Sequence, residues 1–147
     1  MGEYIIKIPE GVRFTKKGPV RHKTEFDFTV SISGISCFFD AKCESAKDTF
    51  NFKARLLAKE KKHQWEALQW AHDVGSVAGL LIWFQGVGIY TWASVTNIRK
   101  LLDDEVKSIQ PGMDGLPTAS DDNPINLRSL MREDLLKCQE KIASKSF

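Results

Sequence analysis

The sequence predicts an α/β protein, a mixed central sheet flanked by helices, on three observations. The segment "EFDFTVSISG" (25–34) alternates strictly between apolar and polar residues. The charge-free stretch "GSVAGLLIWFQGVGIYTWASV" (75–95) is cut by glycines into two strand-length pieces. Segments with helical spacing alternate with these strands instead of following them in a block.

Composition limits the options. A chain of 147 residues with 42% hydrophobic content fits one domain with a sizeable core. Its formal charge of +2 gives no argument for a nucleic-acid partner, so local patches would have to supply one. Cys37, Cys43 and Cys138 make an odd number with nothing before them resembling a signal peptide. Reduced thiols and a cytoplasmic location are the simplest expectation. His22, His63 and His72 form no closely spaced pair with a cysteine, and no CxxC occurs, which argues against zinc.

In chain order, "EYIIKI" is a strand, and "PEGVRFTKKGPVRHK" (9–23) is expected to be a basic loop because of its prolines and glycines. In 25–34, Phe26, Phe28, Val30 and Ile32 take one face, and Glu25, Asp27, Thr29 and Ser31 the other. The alternation ends at Gly34, and "ISCFFDAKCES" (35–45) then forms the second arm of a hairpin. After a polar, cationic stretch, a helix is expected over Lys59–Val74, burying Ala67, Leu68, Ala71 and Val74, with Gln64 as a polar intruder on that face.

The stretch 75–95 is long enough to cross a bilayer, but Gly79, Gly86 and Gly88 favour two buried strands, near Leu80–Phe84 and Ile89–Ala93, and no membrane span. A helix over Val95–Val106 follows, with Val95, Ile98, Leu101 and Leu102 inward. The expected organisation is a core over 1–108, a linker or long loop over 109–124, and an amphipathic helix over 125–147. That helix offers Leu127, Leu130, Leu135 and Leu136 for burial, against the core or a partner chain.

The chemistry-bearing residues cluster around the hairpin. Asp40 and Lys42 are two apart on one strand and so share a face. Asp27 lies seven residues before Gly34 and Asp40 six after it, so the hairpin brings the two carboxylates close. Carboxylates on adjacent strands repel unless positive charge lies between them. Lys42 supplies part of that charge and a divalent cation would supply the rest, magnesium being suited to one or two carboxylates plus waters. Such a site could hydrolyse a phosphodiester, with the lysine orienting or deprotonating the water. An ordinary surface hairpin with a salt bridge remains the plainer alternative.

Two basic clusters flank this constellation: Arg13, Lys16, Lys17, Arg21, His22 and Lys23, and then Lys47, Lys53, Arg55, Lys59, Lys61 and Lys62, interleaved with Phe50 and Phe52. As phosphate contacts on both sides of a scissile bond they would bind DNA; as ordinary charge runs they would be solvated surface.

The acid-bearing strand, the turn and the apolar strand ending in "DAK" resemble the PD-(D/E)XK nuclease superfamily. Together with "FNFKARLLAKEKKHQWEAL", they resemble the RecU-type Holliday junction resolvases, over about Pro9 to Leu102. The resemblance implies a restriction-endonuclease-like fold and a magnesium-dependent endonuclease, with manganese a substitute, acting on branched DNA as a homodimer in recombination or repair. It makes Asp27 and Asp40 metal ligands together with the Ala41 carbonyl, Lys42 the catalytic lysine, and Gln64 the glutamine that follows histidine. Trp65, Trp70 and the tail-helix leucines are the candidates for a dimer contact. The family usually has a helix carrying a further glutamate before these motifs. Here a short strand and a Pro/Gly segment precede Asp27, and Glu3, Glu10 and Glu25 sit in no matching motif. Alternatives are a nicking, flap or restriction-like nuclease of the same fold, or a DNA-binding module that has lost cleavage.

Overall fold

The structure, a computed structural model, describes residues 4–7, 11–15, 18–22, 27–45, 47–113, 115–120 and 126–145, the first three segments by their backbone. Strand β1 (Tyr4–Lys7) precedes a pair, β2 (Gly11–Thr15) and β3 (Gly18–His22), joined as an antiparallel hairpin. The basic segment expected to be a loop is therefore largely strand. Val12, Phe14 and Val20 have strand propensity, and Pro19 is tolerated because a two-stranded ribbon has only edges.

β4 (Phe28–Ile32) and β5 (Ile35–Glu44) form the expected hairpin. Its loop is Ser33-Gly34, both at positive φ (51° and 78°), the two-residue geometry that matches strand twist. β6 (Phe50–Asn51) leads into the single turn α1 (Phe52–Arg55), capped by the Asn51 side chain on the Ala54 amide. Then come α2 (Lys62–Asp73), β7 (Val77–Phe84), β8 (Ile89–Ser94) and α3 (Val95–Asp103). α3 opens with a reciprocal capping box between Ser94 and Asn97. β9 (Ser108–Ile109) pairs with β6, and β10 (Thr118–Ser120) with β8. α4 (Leu127–Leu130) and α5 (Arg132–Lys145) end the described chain.

The sheet is mixed and six-stranded, in the order β1-β4-β5-β7-β8-β10, with β5 and β7 parallel and the other neighbours antiparallel. The parallel pair needs a crossover, and α1 and α2 provide it. Each sheet face has its own core. One joins Phe50, Phe52, Leu56, Trp65, Leu68, Leu80, Ile82, Phe84 and Ile98; the other joins Val30, Ile32, Cys37, Phe39, Leu81 and Trp92 with Leu127, Leu130, Met131 and Leu135. Gly79 is required where the Trp92 ring crosses the sheet, since a Cβ there would run into the Ala93 carbonyl and that ring.

The helices differ from expectation in detail. α2 starts at Lys62 and buries Trp65, Leu68 and Ala71, while Val74 is 60% exposed. Val74 is the C-cap residue, past the last turn of α2, and the buried stripe instead extends back to Trp65. α3 ends at Asp103, followed by Glu105 at positive φ (60°). Leu136 is exposed on α5, although Leu127, Leu130 and Leu135 are buried as expected. Among the described residues no helix is long and apolar enough to cross a membrane, and Cys37, Cys43 and Cys138 form no disulfide.

Candidate active site

The β4–β5 register fixes the site. Phe28 faces Phe39, so the next step along the ladder sets Asp27 against Asp40. The two acids interlock through the backbone. The Asp27 amide donates to Asp40 Oδ1 at 2.9 Å, and the Ala41 amide donates to Asp27 Oδ2 at 3.2 Å.

Asp40 is fully buried, in the middle of β5 opposite Leu80 of β7. Burial pushes its pKa up from 3.8 to about 6, and the Asp27 charge adds to this, against the Asp27 amide and Lys42. Its second oxygen, Oδ2, is buried with no hydrogen-bond partner. An orphaned carboxylate oxygen is costly in a folded interior.

Lys42 lies two residues further along β5, on the face turned to α2. Its ammonium donates to Gln64 Oε1 at 2.8 Å, on the first turn of α2. Burial lowers the Lys42 pKa, against the nearby Asp40 and Asp27 charges, and Lys61 and Arg55 lower it further. The structure thus brings together Asp27, Asp40, Ala41, Lys42 and Gln64. Gln64 intrudes on an apolar helix face because its amide holds this ammonium.

The basic residues divide. Lys47, Lys53, Lys59 and Lys62 are exposed, with Lys62 3.8 Å from Glu66 one turn on, and Lys61 is half-buried near Lys42. Arg55 is tied to Glu44, Nε donating to Oε1 at 2.7 Å, a pair not expected from the sequence. The two residues lie on different elements, Glu44 at the end of β5 and Arg55 at the end of α1, so the pair depends on tertiary packing. Lys16, Lys17, Lys23, Glu3, Glu10 and Glu25 lie outside the described residues, and Arg21 is described by its backbone in β3.

The donor set suits a hard cation. Two carboxylates, one with an unpartnered buried oxygen, and a backbone carbonyl between them and the lysine provide oxygen ligands only. Among the described residues no cluster of three or more His, Cys, Asp or Glu side chains competes as a metal site.

No curated protein matches the chain. A family model does: "Recombination protein U", over residues 3–114, which include every residue of this site and most of the sheet. The chain belongs to the RecU family, a Holliday junction resolvase family of the restriction-endonuclease-like superfamily.

Proposed function

We propose that the protein is a magnesium-dependent DNA endonuclease that resolves four-way junctions, with Asp27, Asp40, Lys42 and Gln64 at its active site. The observation behind this reading is the interlocked Asp27–Asp40 pair, whose buried Oδ2 has no partner, beside an ammonium held by Gln64. Family membership supports the substrate.

Asp27, Asp40 and the Ala41 carbonyl would hold the cation, magnesium or in its place manganese. When bound, the cation supplies positive charge that polarises the scissile phosphate and lowers the pKa of water. The protein's own contributions follow from its geometry. The β4–β5 ladder keeps both carboxylates in place before DNA arrives, so no reorganisation is needed during reaction. Lys42, its pKa lowered by burial, orients the attacking water or takes its proton. Gln64 fixes the ammonium and leaves its remaining N–H groups for water and phosphate oxygens.

Lys47, Lys53, Lys59, Lys61 and Lys62 neutralise DNA phosphates on one side of the site, and Lys16, Lys17, Arg21 and Lys23 on the other. Two nicks on symmetry-related strands call for two sites, which a homodimer supplies. Trp70, 61% exposed, stays a candidate for that contact, while Trp65 is core. The nuclease core is 1–108, 109–124 is a connecting segment that also adds β10 to the sheet edge, and 125–147 is a C-terminal helical segment that packs on the core or on a partner chain. The protein works in the cytoplasm, where its three thiols stay reduced.

The test is incubation of an end-labelled synthetic four-way junction with the protein, with and without magnesium. Paired nicks that require the metal are expected. Binding without nicks at any magnesium or manganese concentration would instead identify a DNA-binding module that has lost cleavage.

A further inference from the structure

Arg55 differs from the lysines around it. It is the last residue of α1, and three contacts fix its guanidinium. Nε donates to Glu44 Oε1 at 2.7 Å, Nη2 donates to the Cys43 carbonyl at 3.3 Å, and the guanidinium carbon lies 5.9 Å from the centre of the Phe50 ring. Glu44 is the more shielded partner, its side chain 16% exposed, while the Arg55 side chain keeps 35% of its surface in solvent. Nη1 has no acceptor among the described residues, so one end of a rigid fork remains available.

The position of this fork matters. Glu44 follows Lys42 by two residues on the same strand face, a step of about 7 Å along β5. Asp40, Lys42 and the Glu44–Arg55 pair therefore form a row along one strand. The spacing is of the same order as that between neighbouring phosphates of a nucleic-acid strand. A salt bridge serving only as a surface staple would add little stability and would need no arginine. A planar guanidinium with Nε and Nη2 already committed is suited to donate directionally to a phosphate oxygen.

We propose that Arg55 grips the phosphodiester adjoining the one hydrolysed and so sets the register of the strand, with Glu44 and the Cys43 carbonyl as its positioning groups. This rests on the nuclease reading of Asp27, Asp40 and Lys42. It gives Arg55 a position-specific role that the solvated lysines do not share.

The experiment maps the cut on a synthetic four-way junction in magnesium. Single neutral methylphosphonates are then placed at the phosphates on either side of the scissile bond. Single-turnover rates are compared for wild type, Arg55→Met, Arg55→Lys and Glu44→Gln. Wild type should lose roughly 10- to 100-fold on one of the two modified junctions, the range for one charge-assisted hydrogen bond. Arg55→Met should lose a similar factor on unmodified DNA and nothing more on that modified junction. Arg55→Lys should fall between the two, and Glu44→Gln, which removes the carboxylate that holds the fork but leaves the Arg55 guanidinium in place, should show a weakened methylphosphonate effect. The proposal is overturned if the losses from Arg55→Met and methylphosphonate multiply at both positions, or if Arg55→Met cuts at the wild-type rate. Should Arg55→Met fail to fold, Arg55→Lys and Glu44→Gln decide, and unchanged methylphosphonate sensitivity in both overturns the proposal. If wild type cuts no DNA at all with magnesium or manganese, the nuclease reading fails and the proposal with it. That outcome is separate from a wild type that cuts normally without using Arg55.

Discussion

Asp40 carries a charge in a place that disfavours it. Its folded pKa of about 6 stands above the ordinary 3.8, so its contribution to stability is fully present below pH 3.8 and is lost as pH rises through 6. At neutral pH and without metal, the site is therefore strained electrostatically. Asp40→Asn should raise the stability of the chain in chelator by about 2–3 kcal/mol at pH 8, and by almost nothing near pH 4, in denaturant titrations at both pH values. The same variant should abolish cleavage, so a gain in stability accompanies a loss of activity. Lys42→Ala should slow cleavage by roughly two to four orders of magnitude, and Gln64→Ala by less, since an amide positions but does not exchange protons. Single-turnover rates would check both, and an equal loss of thermal stability in the two without loss of rate would mark the pair as structural. The Asp27–Asp40 meeting was legible from residue counts about Gly34, because a two-residue turn leaves only one register. The orphaned Oδ2 and the Glu44–Arg55 pair were not, since both depend on how distant segments close over β5.

At the scale of elements, the strands were more legible than the helix faces. Alternation fixes a strand's two faces outright, whereas the α2 stripes through Trp65 and through Val74 share Leu68 and Ala71 and differ only in what lies opposite. The β2–β3 hairpin was hidden because proline and glycine signal turns as strongly as they signal loops. Two contacts then hold the layers together. Gly79 admits the Trp92 ring, and Gly79→Ala should destabilise the fold by about 2–3 kcal/mol in denaturant titrations, since a Cβ meets backbone that cannot yield. Trp92 Nε1 donates to Asp134 of α5 at 2.9 Å, joining the sheet to a helix beyond the end of the family match at residue 114. Burial raises the Asp134 pKa, against the hydrogen bond from Trp92.

For the whole molecule, the sheet order and the crossover from β5 to β7 place the acids, the lysine and the glutamine on neighbouring elements of one face. The basic cluster that follows β5 in sequence belongs to that same crossover. Neutralising Lys59, Lys61 and Lys62 together should weaken junction binding and flatten its salt dependence by a few units of log–log slope; an unchanged slope would make them solvated surface. The proposed role of Asp27 and Asp40 is a cation site serving hydrolysis. Anomalous diffraction from crystals soaked in manganese tests it most directly, with wild type and Asp40→Asn compared. A manganese peak between the two carboxylates is expected in wild type, and its loss in the variant. A peak elsewhere, or none at all in a protein that still cuts junctions with manganese, would contradict it.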